Sequence, residues 1–214
     1  MAFKAGGFSG STTTASAVDR RIKMAMRNKE DGDEALKRGD LLAADEYYDQ
    51  AVNMLETATI SGEPASQSGE EVEDKALASV LTARAQCILD MAEGKGLLPD
   101  GTPWKRQFEN KEHFEYVRKQ ALKQAEETAE KACILYATDL SLLHLGTARM
   151  DLSKSNDPMA MMRPEDTIEN MKDAGRCFLK SLKSKHSEAA QKRLDQVKAW
   201  LAEKNVTTIF PEYV

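Results

Sequence analysis

Residues 29–52 read KEDGDEALKRGDLLAADEYYDQAV, and this stretch decides the fold. Gly39 divides it into two segments of helical periodicity. The second segment has small, large and small residues at spacings of four and three: Ala44, Tyr48 and Ala51. The first segment has Gly32 at its middle, where glycine costs about 1 kcal/mol relative to alanine. Since such a cost needs a packing reason, we predict a hairpin of two helices that approach closely at Gly32.

The same pattern returns twice farther along the chain. Triplets at this spacing recur, slightly altered, as Ala125, Ala129, Ala132 and as Ala174, Phe178, Ser181. Each follows a segment with a small residue at its middle, Ala85 in one case and Gly146 in the other. Small residues let the second helix of a hairpin lie close to the first, and a larger residue between them fills the groove toward the next hairpin. We therefore predict three hairpins in succession.

At these residues the sequence resembles the tetratricopeptide repeat family. The first unit, DGDEALKRGDLLAADEYYDQAV, is similar to the family's small-residue, glycine-turn and A-x-x-x-Y-x-x-A pattern. The second (VLTARAQCILDM, KQAEETAEKACILYA) and the third (LLHLGTARMDLSK, DAGRCFLKSL) have extra residues between their helices. The resemblance covers residues 24–183 and implies three helical hairpins in a short right-handed α-solenoid, with residues 187–204 as a C-terminal capping helix.

No segment shows sustained strand alternation, so we predict an all-α fold. The expected helices are 18–38, 41–58, 72–92, 110–136, 139–153, 165–184 and 187–204. They form one repeat domain, residues 18–204, with insertions near 59–71, 93–109 and 154–164. A flexible, basic, Gly/Ser/Thr-rich tail (1–17) precedes the domain, and a C-terminal extension (205–214) follows it.

Charge and cysteine usage restrict the class of protein. The net charge is −5; residues 1–29 have six Lys/Arg and one Asp, or +5, so the remainder has −10. A mildly acidic body argues against binding to nucleic acid. No apolar run approaches membrane-spanning length, so we expect no membrane insertion. Cys87, Cys133 and Cys177 have no C-x-x-C spacing, which favours a reducing compartment. We therefore expect a cytoplasmic protein, including cytoskeletal assemblies; the acid-poor N-terminus leaves organellar import as an alternative.

The sequence has no motif of an enzyme. It has no G-x-S-x-G, no phosphate-binding glycine loop, no H-E-x-x-H and no dinucleotide fingerprint. Its three histidines are scattered and do not pair with cysteines at metal-ligand spacing. We therefore predict a non-enzymatic protein with no cofactor, no metal and no catalytic residues.

The family resemblance implies a concave groove lined by the first helix of each unit. In co-chaperone members, Lys and Asn side chains of this groove hold the acidic C-terminal tail of Hsp70 or Hsp90. Lys29 stands where the family has its first lysine, but Asp33 stands where an asparagine is expected. A carboxylate at Asp33 would repel a carboxylate ligand. Binding of a chaperone tail is therefore disfavoured.

The expected groove is of mixed character. Its candidate partner-binding residues are Lys29, Asp33, Leu36, Lys37, Thr82, Gln86, Asp90, Leu140, Leu143, His144, Thr147 and Met150. The side contributed by the third unit is apolar. Either a loop or the chain's own C-terminus, TTIFPEYV, covers this side, or an apolar segment of a partner binds there.

Two further features leave alternatives open, and a third is assigned to the core. Trp104 and Phe108 lie in a loop with two prolines, where they either anchor a partner or fold back over the repeat core. Met159, Met161 and Met162 form either an adaptable hydrophobic contact or a self-packed loop. On the last predicted helix, Trp200 shares the spacing of core residues and is expected to be buried.

Taken together, these features predict a non-enzymatic adaptor or scaffold that binds a peptide or helix of another protein in a tetratricopeptide-like groove. The alternative is a structural subunit of a larger cytoskeletal or organellar assembly, whose tails and insertions are ordered by neighbouring subunits.

Overall fold

The computed structural model describes residues 13–60, 67–98, 100–108, 110–154 and 164–206. These residues form seven α-helices and no strand: α1 (Thr13–Arg38), α2 (Leu41–Ile60), α3 (Gln67–Ala92), α4 (Lys111–Tyr136), α5 (Asp139–Lys154), α6 (Pro164–Ser184) and α7 (Glu188–Glu203). A short 3-10 helix, Trp104–Gln107, precedes α4. The prediction of an all-α fold is confirmed.

The helix boundaries differ from the predicted ones mainly at three ends. Helix α1 begins at Thr13, so residues 13–17 are helical rather than part of a tail. Helix α2 continues to Ile60 and α3 begins at Gln67, which narrows the insertion between them. These added turns are rich in Ser, Thr, Gly, Glu and Gln and have little apolar periodicity, so the apolar pattern could not reveal them. Helix α6 begins at Pro164, where a proline is suited to the first turn.

Polar side chains and glycines define the remaining helix ends. Between α1 and α2, Gly39 adopts a φ of +81°, a conformation that glycine accepts without steric cost. The Asp40 carboxylate then accepts a hydrogen bond from the Ala43 N–H at 3.2 Å. The Asn110 side chain caps α4 by accepting from the His113 N–H at 2.8 Å. Each cap satisfies an N–H group that has no partner inside its own helix.

Consecutive helices pack in pairs. The pairs α1–α2, α3–α4 and α5–α6 have the most extensive contacts, followed by α4–α5, α2–α3 and α6–α7. The odd-numbered helices also contact one another in turn, α1 with α3, α3 with α5 and α5 with α7. Over the ranges given above, α2, α4 and α6 make at most slight contacts with one another. The described residues thus form three hairpins followed by α7, with contacts between successive hairpins on the side of the odd-numbered helices.

The predicted close approaches are present in the first and third hairpins. A Cβ atom added at Gly32 would lie 2.7 Å from Cε1 of Tyr48, and one added at Gly146 would lie 2.7 Å from Cε1 of Phe178. Both rings are fully buried. Since real Cβ atoms do not approach other atoms this closely, glycine is needed at both crossings.

In the middle hairpin, two alanines stand where the other hairpins have a glycine and an aromatic ring. Ala85 of α3 and Ala129 of α4 are fully buried and belong to one core cluster with Leu145 and Cys177. Small side chains on both helices replace the pairing of a glycine with an aromatic ring. This cluster lies between the N-terminal core around Tyr48 and the C-terminal core around Phe178, so apolar packing extends along the whole array.

An arginine joins each hairpin to the next. Arg84 of α3 forms ion pairs with Asp45 and Asp49 of α2, at 2.9 and 2.7 Å. In the same way, Arg149 of α5 contacts two carboxylates of α4, 2.9 Å from Glu126 and 2.8 Å from Glu130. The acidic residues are four positions apart in both helices, so one guanidinium reaches both carboxylates of a pair.

Candidate functional site

Four of the predicted groove residues are buried, which corrects the prediction for them. Thr82, His144, Thr147 and Met150 have almost no surface in contact with solvent. The Thr82 hydroxyl donates to the Ala78 carbonyl at 2.7 Å, and the Thr147 hydroxyl donates to the Leu143 carbonyl at 2.8 Å. The odd-numbered helices pack against one another, with His144 of α5 against Thr82 of α3 and Met150 of α5 against α7. The four side chains therefore offer no surface to a partner.

His144 instead links two of the odd-numbered helices. Its Nδ1 lies 3.2 Å from the carbonyl oxygen of Thr82, to which a protonated Nδ1 donates. The side chain is only 6 % exposed, and burial lowers its pKa to about 4, although this hydrogen bond and the carboxylates of Asp90 and Asp139 act in the opposite direction. His144 is therefore a neutral contact between α3 and α5 at pH 7.

Helix α7, the last one among the described residues, covers the apolar side contributed by the third unit. Met150 belongs to a core cluster with Leu194, Val197 and Leu201 of α7, and Leu143 packs against this cluster. Trp200 also packs against it while half-buried, so its assignment to the core holds in part. The predicted alternatives for this side are a covering loop, the C-terminal segment TTIFPEYV or a bound apolar segment of a partner, and none of them includes this role of α7. Residues 207–214 and the methionines at 159, 161 and 162 lie outside the described residues.

At the N-terminal end, Lys29 and Asp33 neutralise each other. The Lys29 ammonium lies 2.7 Å from Oδ2 of Asp33, and the Tyr48 hydroxyl donates to Oδ1 at 2.7 Å. Burial raises the pKa of Tyr48, and the Asp33 carboxylate raises it further, so the hydroxyl keeps its proton. Asp33 thus has partners for both carboxylate oxygens, and Lys29 already has a counter-ion.

Around the C-terminal end of α3, charged side chains connect three helices. Lys95 lies 3.1 Å from Asp90 and 2.6 Å from Glu93, near the end of α3. Arg193 of α7 lies 3.5 Å from Glu93 and 3.7 Å from Asp151 of α5. Burial raises the pKa of Asp151, while Arg193 counteracts that effect. These contacts hold α7 against the array.

The predicted groove residues that keep solvent exposure lie mostly on α1 and α3. Leu36 and Gln86 are half-buried, and Lys37 is exposed. The ion-paired residues Lys29 and Asp33 lie on α1, and Asp90 lies on α3. With the three residues above they form what we call the candidate surface: Lys29, Asp33, Leu36, Lys37, Gln86 and Asp90. This surface is mainly polar, with Leu36 as its apolar member. Of its charged residues, Lys29 pairs with Asp33 and Asp90 pairs with Lys95.

Leu140 belongs to a different region. It is 51 % exposed and lies near Tyr136, 48 % exposed, and Ile134, 79 % exposed, around the turn between α4 and α5. The Lys75 ammonium lies 5.2 Å from the centre of the Tyr136 ring, which brings the start of α3 to the same place. We call Ile134, Tyr136 and Leu140 the turn patch.

Trp104 and Phe108 pack on the start of α4. The ring of Phe108 meets that of Trp104 edge-on at 5.7 Å and lies 5.3 Å from that of Phe114, which is buried. The Lys105 ammonium lies 5.0 Å from the centre of the Phe114 ring. Both proposed anchor residues are half-buried in this group, as expected if they fold back.

Among the described residues, neither a metal-binding cluster nor an activated thiol is present. No group of three or more His, Cys, Asp or Glu residues among them is arranged to hold a metal ion. The three cysteines are free, and burial raises the pKa of each thiol, that of Cys87 to about 12. Thiols with raised pKa values are poor nucleophiles at pH 7.

No helix among the described residues is both long enough and apolar enough to cross a membrane.

Comparison with known proteins finds no match. No family model matches the chain. No curated protein sequence matches it, and no solved structure matches its fold. The tetratricopeptide resemblance therefore stays a prediction from the residues that carry it, and the function has to be inferred from the geometry of the helices and their surface.

Proposed function

We infer that the chain is a non-enzymatic protein-binding module, an adaptor or scaffold built as a short tetratricopeptide-like α-solenoid. The observation that carries this proposal is the one-sided contact of the helices. The odd-numbered helices touch in succession, whereas the even-numbered ones are kept apart over the described ranges. An array packed in this way curves toward its odd-numbered helices and presents them as a concave surface, on which solenoid proteins bind their partners.

The chemistry of the candidate surface favours a segment of mixed character as the partner. Leu36 and Gln86 offer partly exposed apolar and amide groups, and Lys37 offers an exposed positive charge. Protein interfaces combine such an apolar centre with a polar rim. A peptide or a helix of another protein fits this description, in the reducing cytoplasm that three free thiols favour.

A matched pair of substitutions tests the binding surface. Gln86→Arg places a long charged side chain at the centre of the candidate surface, and Gln124→Arg makes the same change on the exposed side of α4. We expect partners identified by proximity labelling with the full chain to be lost with Gln86→Arg and kept with Gln124→Arg. Circular dichroism would confirm equal folding. Retention of the same partners by both variants would contradict the proposal.

The acidic tail of a chaperone is not the expected ligand. Lys29 and Asp33 already form a 2.7 Å ion pair, so an incoming carboxylate would have to displace Asp33, which also holds the Tyr48 hydroxyl. Calorimetric titration with a short acidic peptide ending in a free carboxylate should therefore show no micromolar binding. Micromolar affinity that disappears in Lys29→Ala would overturn this expectation.

The turn patch favours a second candidate function, that of a structural subunit in a cytoskeletal or organellar assembly. Ile134 and Leu140 are exposed apolar side chains close to one turn, and exposed apolar surface often marks a contact with a partner. A subunit of this kind should elute in a large complex at native expression levels, and Ile134→Glu should release it. A free adaptor should elute as a monomer, and Ile134→Glu should leave its elution unchanged.

A further inference from the structure

The segment that follows α3 reaches back to the first hairpin. At its centre, the Leu97 N–H donates a hydrogen bond of 2.7 Å to the carbonyl oxygen of Gly39, in the turn between α1 and α2. Gly94 and Gly96 on either side of Lys95 have φ values of +72° and +93°, which direct the chain toward that turn. A glycine-rich stretch that sequence patterns treat as a helix breaker thus has a tertiary partner.

The approach is too close for any side chain at the centre. A Cβ atom added at Gly96 would lie 2.5 Å from both Cγ and Cδ1 of Leu41, and 2.9 Å from the carbonyl oxygen of Gly39. Leu41 is itself buried at the start of α2. The backbone at Gly96 therefore packs directly on the first hairpin, and a larger residue would have to push the two apart.

The same segment is held from its other side. The Leu98 N–H donates to the Thr102 carbonyl at 2.7 Å, and the Trp104 N–H donates to the Gly96 carbonyl at 3.0 Å. A Cβ atom added at Gly94 would lie 3.0 Å from Cζ of Phe114, at the start of α4. Residues 94–98 are thus fixed to the second hairpin and dock on the first.

We propose that residues 94–98 are a strap that fastens the turn of the first hairpin to the end of α3, so that the first hairpin separates from the array only when the strap detaches. The strap holds α1 beside α3 through backbone groups that neither helix provides itself. It acts whether or not the candidate surface binds a partner.

Two glycine substitutions separate docking from backbone strain. Gly96→Ala places an alanine at a strained positive φ and also creates a clash with Leu41. Gly101→Ala places an alanine at a similar φ of +79°, but no atom lies within 4 Å of its new Cβ. By hydrogen exchange of the full chain, we expect Gly96→Ala to raise exchange in α1 and α2 about tenfold and to leave α5–α7 unchanged. Gly101→Ala should leave α1 and α2 as in the unmodified chain.

Equal exchange in α1 and α2 for the two variants would overturn the strap, and so would a uniform rise over all helices. A second measurement needs no substitution. In the unmodified chain, the Leu97 amide should exchange at the rate of the α2 amides, because both become accessible in the same opening event. Exchange of the Leu97 amide at the rate of an unprotected loop would also overturn the proposal.

Discussion

The N-terminal and C-terminal halves of the array share two kinds of contact, a glycine against an aromatic ring and an arginine between two acids, but the ring carries a polar group in only one of the two halves. In each half, a glycine of an odd-numbered helix lies against an aromatic ring, Gly32 against Tyr48 and Gly146 against Phe178. An arginine between two acids joins each half to the middle, with Arg84 16 % and Arg149 19 % exposed. In the N-terminal half only, the ring carries a hydroxyl that is fixed to Asp33.

The difference shows that the two halves respond to different perturbations. The N-terminal half depends on hydrogen bonds that involve no histidine, namely Tyr48 with Asp33 and the strap with Gly39. The C-terminal half includes His144, a buried neutral base between α3 and α5. Acid should therefore weaken the contact of the third hairpin with the rest of the array, which gives the largest expected effect.

Lowering the pH from 7 to 4 should reduce the free energy of unfolding by about 3 kcal/mol through protonation of His144. The folded-state pKa is lowered to about 4, against 6.5 in the unfolded chain, so the unfolded state binds more protons between these values. The stability that the neutral imidazole contributes is complete above pH 6.5 and is lost as the pH falls toward 4. Urea denaturation of the unmodified chain and of His144→Gln, compared at each pH, measures the difference.

The carboxylates also titrate in this range, so only the difference between the two proteins is informative. The exposed residue His186 offers a matched control, because His186→Gln removes an imidazole that is not buried. If the unmodified chain and His144→Gln lose stability in parallel between pH 7 and 4, His144 is not the sensitive group.

Replacing either joining arginine by methionine should cost about 2 kcal/mol, because two acids then face each other without a cation. Burial alone would lower the pKa of Arg84, but hydrogen bonds and charges from Asp45 and Asp49 raise it overall, which reflects the strength of the pairing. The pKa of Arg149 is likewise raised overall: burial lowers it, but the hydrogen bond to Glu126 and nearby charges, those of Glu126 and Glu130 among them, outweigh this effect. Thermal and urea denaturation of Arg84→Met and Arg149→Met would measure both costs.

The two costs should be similar, since the guanidinium groups are similarly buried and each has one half-exposed acid. Arg176→Met on the exposed face of α6 serves as a control and should change the free energy of unfolding by less than about 0.5 kcal/mol. A loss with Arg84→Met no greater than with Arg176→Met would show that the joint does not stabilise the array.

Local patterns were sufficient to predict the helices and their closest crossings. The turn at Gly39 and the close approaches of Gly32 and Gly146 depend on neighbours within one hairpin. A glycine inside a helix is costly unless a partner helix needs the space, and this made the signal specific. The acid pairs that follow Ala44 and Ala125 at one and five positions could have indicated the arginine joints, had the two helices been compared.

The candidate surface was less predictable, because it depends on contacts between residues far apart in the chain. His144 and Met150 occupy positions that face the groove in a regular repeat, but contact between α3 and α5 buries the first and α7 covers the second. The docking of Gly96 on Leu41 joins residues 55 positions apart, and no local pattern encodes it. Periodicity assigns a face to a residue, whereas only the tertiary packing decides what covers that face.

The smallest expected effect concerns the feature that distinguishes the two aromatic rings. Tyr48→Phe makes the first hairpin like the third, keeps the ring against Gly32 and removes one hydrogen bond to Asp33. It should cost about 1 kcal/mol, since the Lys29 ammonium still partners the carboxylate. In the Asp33→Ala background the same change should cost almost nothing, because the hydroxyl has lost its partner. An equal cost of about 1 kcal/mol in both backgrounds would mean that the hydroxyl stabilises the hairpin independently of Asp33.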